Sequence, residues 1–195
     1  MRRSPSSPYA NPENAMSFFT IGHSTRTISE FVELLQRNGV EKLIDVRSTP
    51  FSRRVPQFNN DTIGSSLASY QIGYEHIPEL GGRRSKGCCE DHSQNGFWTH
   101  RSFRNYADYA LTADFERGLK RLRDLGESRV IAYMCAEAVW WKCHRRIITD
   151  HLLARDIAVK HIMGPDVVND AKLNSGALIR PNKQVVYPST DAVRI

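Results

Sequence analysis

Long apolar runs are missing from this chain of 195 residues. No stretch approaches the roughly 18 apolar residues that mark a membrane span. No apolar segment follows Arg2 and Arg3 either, as it would in a secretory signal peptide. Cysteine is scarce, with only 4 residues. Without a secretion signal, such cysteines are typical of a reducing compartment rather than of a disulfide framework. The sequence therefore predicts a cytoplasmic protein with no membrane partner.

Several familiar motifs are absent as well. The Gly-x4-Gly-Lys pattern of phosphate-binding P-loops does not occur. Cysteine-dependent phosphatases need an arginine at a fixed short distance after the cysteine, and Trp141 occupies that position after Cys135. Structural zinc sites usually pair ligands about two to four residues apart. Cys135 and Cys143 are farther apart than that, whereas Cys88 and Cys89 are adjacent. We therefore expect neither a metal nor another cofactor.

Hydrophobic residues make up 40% of the chain, enough at this length for one globular domain with a real core. A segment rich in Ser, Pro and Asn predicts a disordered leader over residues 1–16. The α/β domain is expected to span residues 17–165. Residues 166–195 then form a C-terminal extension that packs on this domain or continues as a tail.

Short apolar runs alternate with stretches of helical periodicity along the domain. Strands are predicted at residues 18–21, 42–46, 74–77, 129–134 and 157–163, with residues 185–187 as a further strand or part of a tail. Helices are predicted from about 28 to 38, at 61–70, as two helices within 103–125, and at 143–154. Because a helix follows nearly every strand, the pattern predicts a mainly parallel sheet with helices on both faces, a three-layer α/β/α domain.

The ends of these helices have recognisable signals. Thr27 or Ser29 is a candidate N-cap of the first helix, and Gly39 is expected to end it. Gly73 is expected to close the second helix. Asp114 is a candidate N-cap where the two helices of the 103–125 segment meet. The long loop from residue 78 to residue 101 is unusual in a compact domain, which indicates a functional or mobile segment.

Polar side chains follow four of the predicted strands. The segments are Gly22-His23-Ser24, Asp45-Val46-Arg47, Tyr74-Glu75-His76 and Cys135-Ala136-Glu137. Ligands of open α/β sheets bind beyond the carboxyl ends of the parallel strands. The candidate catalytic residues are therefore Glu137, Asp45, His23 and Cys135.

Each candidate has a structural alternative. Asp45 lies in an apolar strand, where a carboxylate needs a cation, and Arg47 points to the same side of that strand. The pair either shapes the loop or places Asp45 to orient an arginine or act as a base. His23 is either a structural histidine or part of a ligand site that Gly22 lets a ligand approach.

The fourth strand end offers a carboxylate and a thiol. Glu137 is the better chemical candidate, because Trp140 and Trp141 are expected to shield it from water. Cys135 is either reactive or a small buried apolar residue, as most free cysteines are. Cys143, His144 and the following arginines open the next helix, where an anion clamp is expected.

The formal net charge of +6 and the pI of about 9.3 favour an anionic partner. Cations are concentrated in three segments: Arg47, Arg53 and Arg54; Arg83, Arg84 and Lys86; Lys142, Arg145 and Arg146. They either form one positive face that attracts phosphate and nucleic acid, or three separate solvated groups. The residues expected to bind phosphate or nucleic acid are Arg47, Arg53, Arg54, Arg83, Arg84, His144 and Arg145.

Four motifs occur in this order: Thr20-Ile21-Gly22-His23-Ser24, Leu43-Ile44-Asp45-Val46-Arg47-Ser48-Thr49-Pro50, Leu80-Gly81-Gly82, and Met134-Cys135-Ala136-Glu137 followed by Cys143-His144-Arg145. Together they make residues 18 to about 163 resemble the bacterial and archaeal family called domain of unknown function 488. The resemblance implies a single α/β domain and supplies no settled activity.

Two functional hypotheses from different classes remain. The first is an enzyme that acts on a nucleotide or on a base in nucleic acid, a hydrolase of an N-glycosidic or phosphate-ester bond such as DNA base processing or repair requires. The second is a nucleic-acid or nucleotide-binding module without turnover. A cysteine-based transferase is a third, weaker hypothesis. The oligomeric state is not predicted by the sequence.

Overall fold

The computed structural model describes residues 18–84 and 93–189. The expected leader and Lys86, Cys88 and Cys89 lie outside the described residues. The strands are β1 (Phe18–Gly22), β2 (Lys42–Asp45), β3 (Gly73–His76), β4 (Ile131–Cys135), β5 (Val159–Gly164), β6 (Val167–Asp170), β7 (Leu178–Ile179) and β8 (Val185–Val186). The α-helices are α1 (Ile28–Arg37), α2 (Asn60–Ala68), α3 (Arg101–Tyr109), α4 (Ala113–Gly126) and α5 (Arg145–Leu153). None of the helices in the described ranges has the length and apolar character needed to cross a membrane.

Six strands form the main sheet in the order β3-β2-β4-β1-β5-β6. The first five are parallel to their neighbours, and β6 runs antiparallel to β5. Strands β7 and β8 form a separate antiparallel pair. The predicted α/β fold with a mainly parallel sheet is therefore confirmed.

Successive side chains of a strand point to opposite faces of the sheet, and here they belong to two separate hydrophobic cores. Ile21, Leu43 and Met134 pack with the apolar residues of α1 and α2 on one face. On the other face, Ile44 and Tyr133 pack with apolar residues from α3, α4 and α5. Helices thus cover both faces of the sheet, as predicted.

The predicted ends of α1 are confirmed. The Thr27 hydroxyl accepts a hydrogen bond from the backbone N–H of Glu30, and the Glu30 carboxylate accepts one from the N–H of Thr27. This reciprocal capping box satisfies N–H groups that a helix start leaves unpaired. Gly39 follows the helix with a φ of +63°, a left-handed conformation that glycine adopts without strain.

Two other predicted helix ends were wrong. Helix α2 ends at Ala68, and Gly73 is the first residue of β3 rather than a helix terminator. Helix α4 is capped by Thr112, whose hydroxyl accepts from the N–H of Phe115. Asp114 lies instead inside the first turn of α4, where a carboxylate is favoured by the helix dipole.

A crevice opens at the carboxyl ends of the neighbouring strands β2 and β4. The chain leaving β2 leads to α2 on one face of the sheet, whereas the chain leaving β4 leads to α5 on the other face. Because the two connections diverge, they leave space between them, as at the ligand-binding switch points of α/β sheets.

Residues beyond 165 extend the main sheet through β6 and also contact the domain through β8 and Tyr187. Val185, Val186 and Tyr187 are all buried. The Tyr187 hydroxyl donates a hydrogen bond of 2.7 Å to the Asp150 carboxylate, and its backbone N–H donates to the carbonyl of Gln94. The last described segment therefore packs against α5 and the loop before α3.

Acid is expected to destabilise the fold. Burial lowers the pKa of His23 and His161 to about 4 and that of His151 to about 3, from an ordinary value of 6.5. Between pH 6.5 and 4 the unfolded chain binds these protons and the folded protein does not, so stability falls as the pH falls. Asp150 has the opposite effect, because burial raises its pKa to about 6 and the folded protein binds this proton first. The effect of this one carboxyl group is smaller than the combined effect of the three histidines. Urea denaturation at pH 7 and pH 5 should show a lower midpoint at pH 5, and the shift should shrink in His151→Leu. An equal midpoint at both pH values would contradict this account.

Candidate functional site

The four strand ends chosen from the sequence lie side by side, because β3, β2, β4 and β1 are consecutive in the sheet. A pocket of about 270 Å³ lies at this edge, above β2 and β4. It is lined by Arg47, Ser48, Thr49, Gly82, Arg83, Ser102, Phe103, Tyr106, Cys135, Ala136, Glu137, Lys142, Cys143 and His144. Its volume is close to the lower end of the roughly 300–1,000 Å³ that small-molecule sites occupy.

Two thiols meet at the base of the pocket. Cys135 is the last residue of β4, and Cys143 lies between the short helical turn at residues 140–142 and α5. This turn folds the chain back, so that the two sulfur atoms lie 2.8 Å apart, and both cysteines are free and buried. The separation of Cys135 and Cys143 in the sequence argued against a shared metal site. The fold nevertheless brings their sulfur atoms together.

His144 stands beside this pair at the start of α5. Its Nε2 lies 2.8 Å from the carbonyl oxygen of Val46, which can only accept a hydrogen bond, so Nε2 carries the proton. In the neutral ring the lone pair is then on the other nitrogen, Nδ1, which lies 3.6 Å from the Cys143 sulfur. The imidazole ring also packs edge-on against Tyr106. The position and the tautomer of His144 are both fixed by its neighbours.

Arg145 lies beneath the thiols instead of facing the pocket. It is 1% exposed, and its guanidinium donates hydrogen bonds to the Cys143 sulfur at 3.3 Å and to the carbonyl of Glu137 at 2.6 Å. Among the described residues, no carboxylate forms an ion pair with it. The sequence assigned Arg145 to an anion clamp with His144, and in the structure its guanidinium is buried against the Cys143 sulfur and the 136–138 loop.

The surroundings shift the pKa values of the two thiols in opposite directions. Burial alone would raise the pKa of the Cys143 thiol, but the hydrogen bond from Cys135 and the positive charge of Arg145 outweigh burial and hold this pKa well below its usual range. The contact with Cys143, followed by burial, raises the pKa of the Cys135 thiol well above its usual range. Negative charge on sulfur is thus favoured at Cys143.

The Gly81-Gly82 segment forms a close wall of the site. A Cβ atom added at Gly82 would lie 2.4 Å from Nδ1 of His144, and one at Gly81 would lie 2.6 Å from the Ser48 hydroxyl. Neither position has room for a side chain. The two glycines let this loop approach both His144 and the end of β2.

Asp45 is fully buried and is neutralised by Arg47, as predicted. The Nε of Arg47 donates to the Asp45 carboxylate at 2.9 Å, and Tyr74 donates its hydroxyl to the same group at 2.9 Å. Arg47 lines the pocket, whereas Asp45 does not. Asp45 therefore orients Arg47 and is not placed to act as a base on a ligand.

His23 lies behind Arg47, outside the lining of the pocket. Its ring stacks on Phe58 with the centroids 4.3 Å apart, and Nε2 accepts from Arg47 at 3.2 Å. Burial, which dominates, lowers its pKa to about 4, so the ring is neutral at pH 7. His23 supports the position of Arg47.

Glu137 lines the pocket and is exposed to solvent. The tryptophans expected to shield it do not cover it, so that interpretation was wrong. Trp140 stacks on His161 with ring centroids 4.2 Å apart, and Trp141 is 44% exposed. Among the described residues that line the pocket, Glu137 carries the only carboxylate.

The cations of the three segments, which the sequence placed either on one positive face or in separate groups, are divided between the pocket and other surroundings. Arg83, Lys142 and Arg47 line the pocket. Arg53 and Arg54 are exposed and are not among its lining residues. Arg84 stacks on Tyr109 and donates to the backbone of the 78–79 turn, so its guanidinium is occupied elsewhere. No carboxylate of the described residues forms an ion pair with Arg83 or Lys142.

Some lining residues were not selected from the sequence. Ser102, Phe103 and Tyr106 lie on α3, a helix far along the chain from the strand ends. The sequence predicts a helix in this segment, but the helical pattern does not indicate which strand end the helix approaches. Cys143 was considered only as a metal ligand, although it adjoins the selected His144.

Comparison with known proteins identifies the family of this chain. The family model described as "Domain of unknown function DUF488" matches residues 27–152, more than half of the chain. A search of curated proteins and a search of solved structures each gave no significant match. The motifs that build the pocket lie within or next to the matched range. The chain belongs to the DUF488 family.

Proposed function

We propose that this protein is a hydrolase that acts on a nucleotide, free or within nucleic acid, in the pocket at the ends of β2 and β4. One observation carries the proposal: cations without carboxylate partners and chemically reactive groups line the same small pocket. Arg83 and Lys142 are available for phosphate, and Glu137, Cys143 and His144 are available for chemistry. A module that only binds phosphate has no need of Glu137, Cys143 and His144.

The walls of the pocket suit a nucleotide. Phe103 lies on the α3 side and stacks on Trp98 with ring centroids 5.0 Å apart, which fixes the orientation of its ring. Flat aromatic side chains beside cations favour the stacking of bases. Ser48, Thr49 and Ser102 supply hydroxyl groups for the sugar or the phosphate.

Glu137 is the group we assign to the proton transfer. Asp45, the other carboxylate considered, is buried against Arg47 and does not reach the pocket. A carboxylate at the rim can take a proton from an attacking water, which is general-base catalysis. Arg83 and Lys142 hold the phosphate and stabilise the charge that develops on it.

A cytoplasmic location is part of the proposal. Both cysteines of the pocket are free although their sulfur atoms lie 2.8 Å apart. Such a thiol pair persists in a reducing compartment.

The proposal is tested by incubating the protein with nucleoside monophosphates and with labelled single-stranded and duplex DNA that carries normal, damaged and modified bases. Released base, inorganic phosphate and strand breaks are measured separately, so that the assay identifies the bond that is cut. Arg83→Ala should raise KM by about 10–100-fold, as expected for the loss of a hydrogen bond to a charged group. Arg54→Ala, an exposed arginine outside the pocket, should leave KM unchanged.

Other outcomes separate the alternatives. Binding without any product would establish the binding module instead of the enzyme. A KM that rises equally in both arginine variants would indicate a broad charged surface rather than this pocket. Neither binding nor product with any of these ligands would overturn the nucleotide substrate.

A further inference from the structure

Three potential metal ligands converge at the base of the pocket. The sulfur atoms of Cys135 and Cys143 and Nδ1 of His144 all lie within 4.8 Å of one another. In a tetrahedral zinc site, bond lengths of about 2.3 Å to sulfur and 2.0–2.1 Å to nitrogen place ligand atoms about 3.5–3.8 Å apart. The distance of 3.6 Å between the Cys143 sulfur and Nδ1 fits directly, and the sulfur atoms, now 2.8 Å apart, would separate by about 1 Å.

The neighbouring groups prepare these atoms for a cation. The bond from Nε2 of His144 to the Val46 carbonyl directs the Nδ1 lone pair toward the sulfur atoms. Outer hydrogen bonds of this kind orient most histidine ligands in metal sites. Both sulfur atoms also accept N–H groups: Cys135 accepts from the backbone of Glu137 at 3.3 Å, and Cys143 from the backbone of Arg145 at 3.4 Å. N–H donors stabilise the thiolates that bind metals.

Charge balance identifies the kind of cation. Two thiolates this close repel each other strongly in a buried environment unless a positive charge lies between them. A divalent cation neutralises both of them, and two sulfurs with one imidazole nitrogen in a tetrahedral arrangement are typical of zinc. All three residues line the pocket, so the fourth coordination position faces it.

We propose that Cys135, Cys143 and His144 bind one zinc ion whose fourth position is open to the pocket. Three protein ligands and an open position are the arrangement of catalytic zinc sites. This deepens the proposed function: the metal-bound water supplies the nucleophile, and Glu137 accepts its proton. The binding of zinc itself does not depend on that function.

The test measures the metal directly. Wild-type protein is treated with a chelator, reconstituted with zinc or cobalt, and analysed for bound metal per chain and for its absorption spectrum. We expect one zinc per chain. The cobalt form should show the intense visible bands of a tetrahedral site and thiolate-to-cobalt charge transfer. Cys135→Ser, Cys143→Ser and His144→Phe should each lower the zinc affinity at least 10-fold, the low end of the effect seen even for outer-shell partners. His100→Asn, at an exposed histidine, should change nothing.

Two results would overturn the inference. One is that reconstituted wild-type protein binds no zinc and its two thiols react freely or form a disulfide. The other is that the cobalt spectrum lacks thiolate charge transfer, which would exclude both cysteines as ligands without relying on a variant that might misfold. Zinc binding without hydrolysis of any nucleotide would uphold the metal site and overturn the proposed function. Hydrolysis by a zinc-free protein would uphold the proposed function and overturn the role of the metal-bound water in it.

Discussion

Replacing Glu137 with glutamine is expected to lower kcat by about 10²–10⁴-fold, the usual contribution of a positioned general base. Glutamine has nearly the same shape but cannot take a proton, so the pocket should keep its form. Glu137 is exposed and forms no ion pair among the described residues, and its backbone contacts to Cys135 and Arg145 do not depend on its side chain. Binding of the substrate should therefore change by no more than a few-fold.

Glu127→Gln provides a matched control. Glu127 is also exposed, but it follows α4 and does not line the pocket. Steady-state kinetics should show wild-type kcat and KM for this variant. If Glu137→Gln keeps the wild-type kcat, the pocket performs its chemistry through another group, and the assignment of the carboxylate is wrong.

Replacing Asp45 with alanine is expected to reduce the free energy of unfolding by about 3–5 kcal/mol, as is typical when one partner of a buried ion pair is removed. Asp45 is 0% exposed and Arg47 is 8% exposed. The change would leave the guanidinium buried without its counter-charge and the Tyr74 hydroxyl without its acceptor. The loss of these bonds should also free Arg47, so the pocket should lose its shape at the β2 side.

Urea denaturation gives the free energy directly. Asp124→Ala is the control, because its partner Lys120 is exposed and such surface pairs are worth about 0–1 kcal/mol. Tyr74→Phe removes only one bond to Asp45 and should cost about 1 kcal/mol, which keeps the test available if Asp45→Ala does not fold. A loss below 1 kcal/mol for Asp45→Ala would show that the pair does not stabilise the fold.

The parts of the structure that depend on local pattern could be predicted from the sequence. The alternation of short apolar runs with helical periodicity predicted the parallel sheet, and Gly39 and Thr27 predicted the ends of α1. The pairing of Asp45 with Arg47 was predictable because a buried carboxylate needs a cation, and Arg47 follows two residues later on the same side. Each of these inferences uses residues that are close together in the chain.

The arrangement of the thiols could not be predicted in the same way. The distance between Cys135 and Cys143 is set by the turn that the tryptophans form, and this turn has no strong sequence signal. Arg145 was expected to bind an anion at the start of α5, and nothing in the local sequence indicates that its side chain is buried. It is buried here because α5 begins directly beneath the loop after β4, which is a consequence of the strand order.

The position of a bound nucleotide tests most directly the claim that this pocket is the functional site. Adenosine monophosphate is titrated into isotope-labelled protein, and the backbone amide signals are followed by NMR. We expect the largest changes at Ser48, Gly82, Arg83, Glu137 and Lys142, and we expect them to disappear in Arg83→Ala. Changes centred on Arg53 and Arg54 would contradict it, as would saturating nucleotide that leaves the pocket signals unchanged.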